Sequence, residues 1–296
     1  MAPGERDDLL RAACFAALDR LRSRFRDDVP RAALEPGFAF EGTRVPFLNW
    51  QKGIFRASRQ SGPAALSVQT SAKSPYRADR ETTEGFWYAY RAGPAGDRDN
   101  AALREAAALT VPLVYFRSFT AGWYTPLYPV YVEQDDPIGQ RVLLTVGRMA
   151  LGEPAPVTGI QREYAWRESR MRLHQGRFRG IVLPAYADRC AICRLRERRL
   201  LDAAHIRRDA DPEGVAVVTN GLSLCTIHHR AFDQDLVGID GDRRVHVARR
   251  LLEDEDGPML DLLKTFHGGE ILVPRRAASR PDRKLLAERF EWFAAA

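Results

Sequence analysis

Two short stretches decide how this chain reads: Cys190-Ala-Ile-Cys193 and Asn220-Gly-Leu-Ser-Leu-Cys225-Thr-Ile-His228-His229. Each contains a pair of soft or borderline metal ligands separated by two residues, the spacing of a tight turn or helix start that grips zinc. Together Cys190, Cys193, Cys225 and His228 offer a closed Cys3His tetrahedron, which suits a structural zinc better than a catalytic one. Between the pairs lies Leu201-Asp-Ala-Ala-His-Ile206, followed by a loop rich in Asp, Pro and Gly. The order is therefore a strand carrying His205, a loop, a strand end carrying Asn220, and a helix carrying His229.

That succession resembles the ββα-metal arrangement of the HNH endonucleases. The resemblance covers about 178–240 and rests on Cys190, Cys193, His205, Asn220, Cys225, His228 and His229 standing in the family's order. Phe178-Arg-Gly-Ile-Val-Leu-Pro-Ala-Tyr186 is also similar to the stretch that precedes the first zinc pair in that family. Phosphodiester hydrolysis needs an activated water, a stabiliser of charge on the phosphate, and help for the departing 3′-oxygen. The resemblance implies His205 as the general base, a task suited to a neutral imidazole. It implies Asn220 as the residue that holds His205 or its loop through a side-chain-to-backbone bond. It implies His229 as ligand to one catalytic divalent cation, Mg2+ or Mn2+.

The sequence departs from the commonest family pattern at Ala204, where many members carry a metal-binding Asp directly before the base. A second ligand must come from elsewhere. Asp233 follows His229 by one helical turn and shares its helix face. Asp202 is the other candidate, on the same strand face as Ala204. The adjacent histidines His228 and His229 take their separate assignments from the family order, and their roles could be exchanged.

Outward from this core, the chain has 296 residues, enough for two domains, and a net charge of +6 with an isoelectric point near 9.3. The excess is concentrated in 161–199, which holds eleven arginines against four acids. Arginine binds phosphate bidentately, so Arg170, Arg172, Arg177 and Arg179 are candidate phosphate contacts. The other reading of that stretch is a solvated helix face. His174 could meet phosphate but reads as an ordinary surface residue, His246 and His267 lie beyond the core motif, and the acidic run Glu253-Asp-Glu-Asp256 could mimic a metal site but reads as a solvated turn or helix start. No apolar run is long enough for a membrane span, and the first residues do not resemble a signal peptide. A cytoplasmic protein is expected, in which clustered cysteines favour metal over disulfides. Cys14 stands apart, on the stripe Leu10, Cys14, Leu18, Leu21, Phe25 of an amphipathic helix, and reads as core.

The expected architecture is α+β. Residues 1–150 form a β-rich recognition domain, 151–177 a linker and basic helix, and 178–296 the zinc-supported nuclease domain with a C-terminal extension. Helices are expected over 6–26, 100–109, 161–175 and 284–293, strands over 65–70, 86–90, 111–116, 128–132 and 142–146, and a linker over 152–159. The β-rich part resembles SRA and related PUA-like domains, which read modified bases. The residues carrying this are Tyr76-Arg-Ala-Asp79, Phe86-Trp-Tyr-Ala-Tyr-Arg91, Asp99-Asn100, Pro112-Leu-Val114 and Tyr128-Pro-Val-Tyr-Val132. Such readers flip a base and stack it between aromatic rings. The resemblance implies Trp87, Tyr88, Tyr90 and Tyr76 as stacking candidates and Asp79 as an acceptor, although strand alternation would bury half of these aromatics. The whole then points to cleavage of DNA that carries modified bases such as modified cytosine. The alternatives are an HNH nuclease indifferent to modification and a non-cutting zinc module that binds nucleic acid. One nuclease site cuts one strand at a time, so double-strand cleavage would need a homodimer or sequential nicking.

Overall fold

In the computed structural model, which describes residues 3–72, 80–82, 85–92, 97–147, 159–208, 211, 214–255 and 257–295, the strand Leu113–Thr120 sets the layering of the amino-terminal half. Leu113 and Tyr115 enter one apolar cluster while Val114 and Phe116 enter another. A strand's two-residue side-chain repeat produces this split, and it means that both sheet faces are covered. The helix Pro3–Phe25 supplies Leu10, Cys14 and Leu18 to one face. The helix Arg98–Ala108 supplies Ala102, Leu103 and Ala106 to the other. Cys14 is fully buried there, as its stripe predicts.

Among the described residues the sheet has eight strands. Along its path run Ile54–Phe55, Ser67–Thr70, Leu113–Thr120, Trp123–Asp136, Arg141–Val146, Phe86–Ala89 and Arg80–Glu81, with Val29–Pro30 paired beside Trp123–Asp136. Only the contact between Ser67–Thr70 and Leu113–Thr120 is parallel among these pairs. The strand expected over 128–132 is the middle of a longer one because Trp123–Asp136 pairs with three neighbours. Of the linker expected over 152–159, only Gly159 falls among the described residues, where it opens the helix Gly159–Ala185. That helix runs well past the expected end at 175. Phe178, Val182 and Tyr186 recur every four residues and are all buried, so one apolar face holds the later turns in place.

The chain divides into two compact units, Met1–Gly176 and Arg177–Ala296. In the second, the strands Leu201–His205 and Gly221–Cys225 pair antiparallel, with His205 opposite Gly221, and the helix Thr226–Asp233 follows directly. A small hairpin, Val237–Ile239 with Val245–Val247, comes next, and the helix Arg283–Ala295 closes the chain. Phe178, Val182, Ala204, Leu222, Leu224 and Phe232 meet in one core beneath the ββα element. No helix among the described residues is long and apolar enough to cross a membrane.

Candidate active site and metal centre

The two ligand pairs converge. Cys190, Cys193, Cys225 and His228 bring one ligand atom each to within 4.8 Å of the others. Cys190 Sγ lies 3.7 Å from His228 Nδ1, Cys193 Sγ 3.8 Å from Cys225 Sγ, and Cys225 Sγ 3.1 Å from His228 Nδ1. A tetrahedron with zinc–sulfur bonds of about 2.3 Å has edges of about 3.8 Å, so the four residues fit that ion. The turn at Cys190 closes through Arg194 N to Cys190 O at 3.0 Å, with Arg194 in the left-handed region. His228 Nε2 sits 3.0 Å from the Leu262 carbonyl. A carbonyl only accepts, so Nε2 carries the proton and Nδ1 presents its lone pair to the thiols. Hydrogen bonds from Cys193 and Cys225 hold the Cys190 thiol below its ordinary range despite burial, while contacts with Cys190 and Cys193 push the Cys225 thiol up. Of the adjacent histidines, His228 is the one that faces the thiols.

His229, one residue on, points to carboxylates instead. Its Nε2 lies 3.4 Å from Asp233 Oδ2, and its Nδ1 lies 3.9 Å from Asp202 Oδ2. The strand Leu201–His205 and the helix Thr226–Asp233 therefore bring together both carboxylates considered for the second metal ligand, on opposite sides of one ring. They are not equivalent. Asp202 is also bound by Arg179 at 2.8 Å and is less exposed than Asp233, with side-chain exposures of 23% and 49%.

Asn220 is buried, and its side chain is fully engaged with backbone. Its Oδ1 accepts from Arg207 N at 2.8 Å, and its Nδ2 donates to the carbonyls of Arg207 and Val215 at 3.1 Å each. The segment two residues beyond His205 is thereby tied to the end of the facing strand. His205 itself is stacked on Phe178, a contact that periodicity alone did not identify. The four-residue apolar repeat of Phe178, Val182 and Tyr186 marks Phe178 as core without naming the ring that it meets.

Some expected site residues are placed otherwise. Arg179 donates to Asp202, to the Arg198 carbonyl at 2.7 Å and to the Leu201 carbonyl, so it fastens the His205 strand and does not reach out to phosphate. Arg172 pairs with Glu168 and approaches Asp27 at 4.0 Å, so it too is committed within the protein. Arg170 and Arg177 are exposed. Tyr88 and Tyr90 are only 5% and 4% exposed. Their hydroxyls donate to the Gln69 carbonyl at 3.3 Å and to Asp135 at 2.6 Å, so both are core residues rather than stacking platforms. Alternation sends them inward and leaves Trp87 on the other face, half-buried, with the Arg141 guanidinium 4.1 Å from its ring centre. Tyr76 and Asp79 lie outside the described residues.

Comparison with known proteins matches residues 190–240 to the HNH endonuclease family. No curated protein matches the chain. Among solved structures, the modification-dependent TagI restriction endonuclease is similar at 16% identity and a TM-score of 0.31, over 82% of this chain and 86% of that one. The type IV phosphorothioation-dependent restriction endonuclease ScoMcrA is similar at 14% identity and a TM-score of 0.22, over 80% of this chain and 56% of that one. With the thiol–imidazole tetrad and the ββα element in place, residues 190–240 match the HNH endonuclease family and form its nuclease module within this chain.

Proposed function

We propose that this protein is a metal-dependent DNA endonuclease that hydrolyses phosphodiester bonds in DNA carrying modified bases. The observation that carries the nuclease chemistry is His229 held between Asp233 and Asp202, beside a tetrad suited to structural zinc. This arrangement supports a second ligand in place of the Asp that many family members carry where Ala204 stands. Asp233 and His229 Nε2 are the ligands of the catalytic Mg2+ or Mn2+. Asp202, already paired with Arg179, orients the ring from its Nδ1 side, the usual place of a carboxylate behind a metal-binding histidine. When bound, the cation stabilises charge on the scissile phosphate and the leaving oxygen. His205 removes the proton from the attacking water. Phe178 and Asn220 keep that imidazole and its loop in one position, because proton transfer is steeply sensitive to placement. Zn2+ in the Cys190, Cys193, Cys225 and His228 cluster fixes the start of the helix that carries His229.

Target choice falls to the first unit, whose resemblance to SRA and PUA-like readers supports recognition of a modified cytosine. Among the described residues named for stacking, Trp87 is the one not buried in the core, and Arg170 and Arg177 are exposed candidates for phosphate contact. The test is incubation of the zinc-loaded protein with Mg2+ or Mn2+ and matched plasmids, unmodified or carrying 5-methyl- or 5-hydroxymethylcytosine, with His205→Ala as control. Cutting confined to a modified plasmid and lost in the variant is the expected result. Equal cutting of all plasmids would keep the nuclease and remove the reader. Binding without cutting under either metal would make the protein a zinc-containing DNA-binding module.

A further inference from the structure

The helix Arg283–Ala295 lies outside the residues that match the family, yet it and its first turn contact segments adjoining Asn220, His205 and Asp233. Its N-cap residue Asp282 donates its amide to the Thr219 carbonyl at 2.9 Å, next to Asn220. Glu288 pairs with Arg207, two residues past His205. Trp292 has the Arg208 guanidinium 5.4 Å from its ring centre. Gly238 makes room for the helix, since a β-carbon there would come within 2.5 Å of the Phe293 ring.

Arg289 makes the contact of greatest consequence. It is 5% exposed, a rare burial for a guanidinium, and its charge is satisfied at the end of the helix Thr226–Asp233. Nη2 donates to the Phe232 carbonyl at 2.7 Å, Nη1 pairs with Asp235 at 2.5 Å, and the guanidinium lies 4.8 Å from the Phe232 ring centre. The Phe232 carbonyl belongs to the peptide that leads into Asp233, and Asp235 lies just beyond. One planar fork thus grips the chain on both sides of the carboxylate that faces His229. A cation at this helix C-terminus also suits the helix dipole.

We propose that Arg289 is a positioning residue for the catalytic cation. By clamping the flanks of Asp233 it holds that carboxylate beside His229 Nε2, and the C-terminal helix is the frame that carries the clamp. This rests on Asp233 and His229 binding the cation, as proposed above. Partners behind a metal ligand commonly alter affinity by about 10- to 100-fold when removed, without touching the ion.

The experiment uses the zinc-loaded full-length protein and measures Mn2+ affinity by electron paramagnetic resonance, with plasmid cleavage followed over a Mn2+ titration and zinc content checked throughout. Arg289→Ala removes a buried contact and is accompanied by Arg289→Lys and Asp235→Asn, which keep the packing around Phe232. Arg289→Lys should weaken Mn2+ about tenfold, with Asp235→Asn shifted the same way. Both should keep a full complement of zinc and regain rate at high Mn2+. His205→Ala should lose cleavage and keep its Mn2+ affinity. Unchanged Mn2+ affinity in folded Arg289→Lys and Asp235→Asn, with wild type binding and cutting, would make Arg289 a fold anchor only and overturn the inference. Wild-type protein that neither binds Mn2+ nor cuts would instead overturn the cation site itself, and the inference with it.

Discussion

Phe178 and His205 lie face to face, with ring centroids 3.8 Å apart and planes inclined by 10°. Phe178 is 2% exposed and comes from a helix, while His205 ends a strand. The stack restricts rotation of an imidazole whose plane determines where it can accept a proton. Phe178→Leu keeps an apolar filler of similar volume, so stability should fall by only about 1 kcal/mol. Cleavage should fall by about tenfold or more, because the ring loses its flat neighbour. Urea denaturation and plasmid cleavage measured on one preparation check this, and equal small losses in both would show the stack to be packing alone.

Gly221 sits opposite His205 in the strand pair and directly under the same helix. A β-carbon there would stand 2.5 Å from Val182 Cγ2 and 2.9 Å from Phe178 Cζ, both closer than packed carbons tolerate. Gly221→Ala should therefore destabilise the second unit by about 1–3 kcal/mol through overpacking. It should also depress cleavage by displacing Phe178 from His205. A thermal melt with the zinc content monitored would show the first effect, and a normal melt would contradict the close approach.

Asn220 satisfies three backbone groups with one buried side chain. Asn220→Ala leaves the Arg207 amide and two carbonyls without that partner, at a cost of about 1–3 kcal/mol. Amide hydrogen exchange at Arg207 should accelerate in the variant even where the unit stays folded. Retained protection at that amide would mean that the strand pair alone holds the loop.

The thiol cluster predicts one tightly held zinc per chain. Stripping it with a chelator, or Cys225→Ser, should unfold the helix start that carries His228 and His229, because in such small elements metal binding supplies much of the folding free energy. Cys14→Ala, in the core of the other unit, should leave zinc stoichiometry unchanged. Metal analysis of the purified variants distinguishes these outcomes.

Asp233 and Asp202 should differ in the severity of their loss. Asp233→Asn removes a cation ligand and should abolish Mn2+-dependent cleavage within the range of usable metal. Asp202→Asn removes only the partner behind the ring, and its effect should be about 10- to 100-fold. A Mn2+ titration of both variants checks the order, and the reverse order would assign Asp202 as the ligand.

The sequence by itself named Cys190, Cys193, Cys225 and His228 as one ligand set, which the structure brings together, and it set out His205, Asn220 and His229 in the family's order. Each ligand pair is a local unit, two residues of spacing within one turn, so its geometry is fixed by nearby backbone. It also determined that Cys14 is core, because a helical apolar stripe needs a partner face. Tertiary structure alone decided what depends on contacts distant in the chain. Arg179 turns inward because strand register brings Asp202 and the Leu201 carbonyl beneath it. Tyr88 and Tyr90 are core because they share an apolar cluster with the helix Arg98–Ala108, and alternation names two faces of a strand without saying what packs on each. Arg289 and Asp233 lie far apart in sequence, and no periodicity links a C-terminal helix to the end of another helix. Packing over the Val237–Ile239 hairpin brings them together, and a buried guanidinium must find its acceptors wherever packing places it.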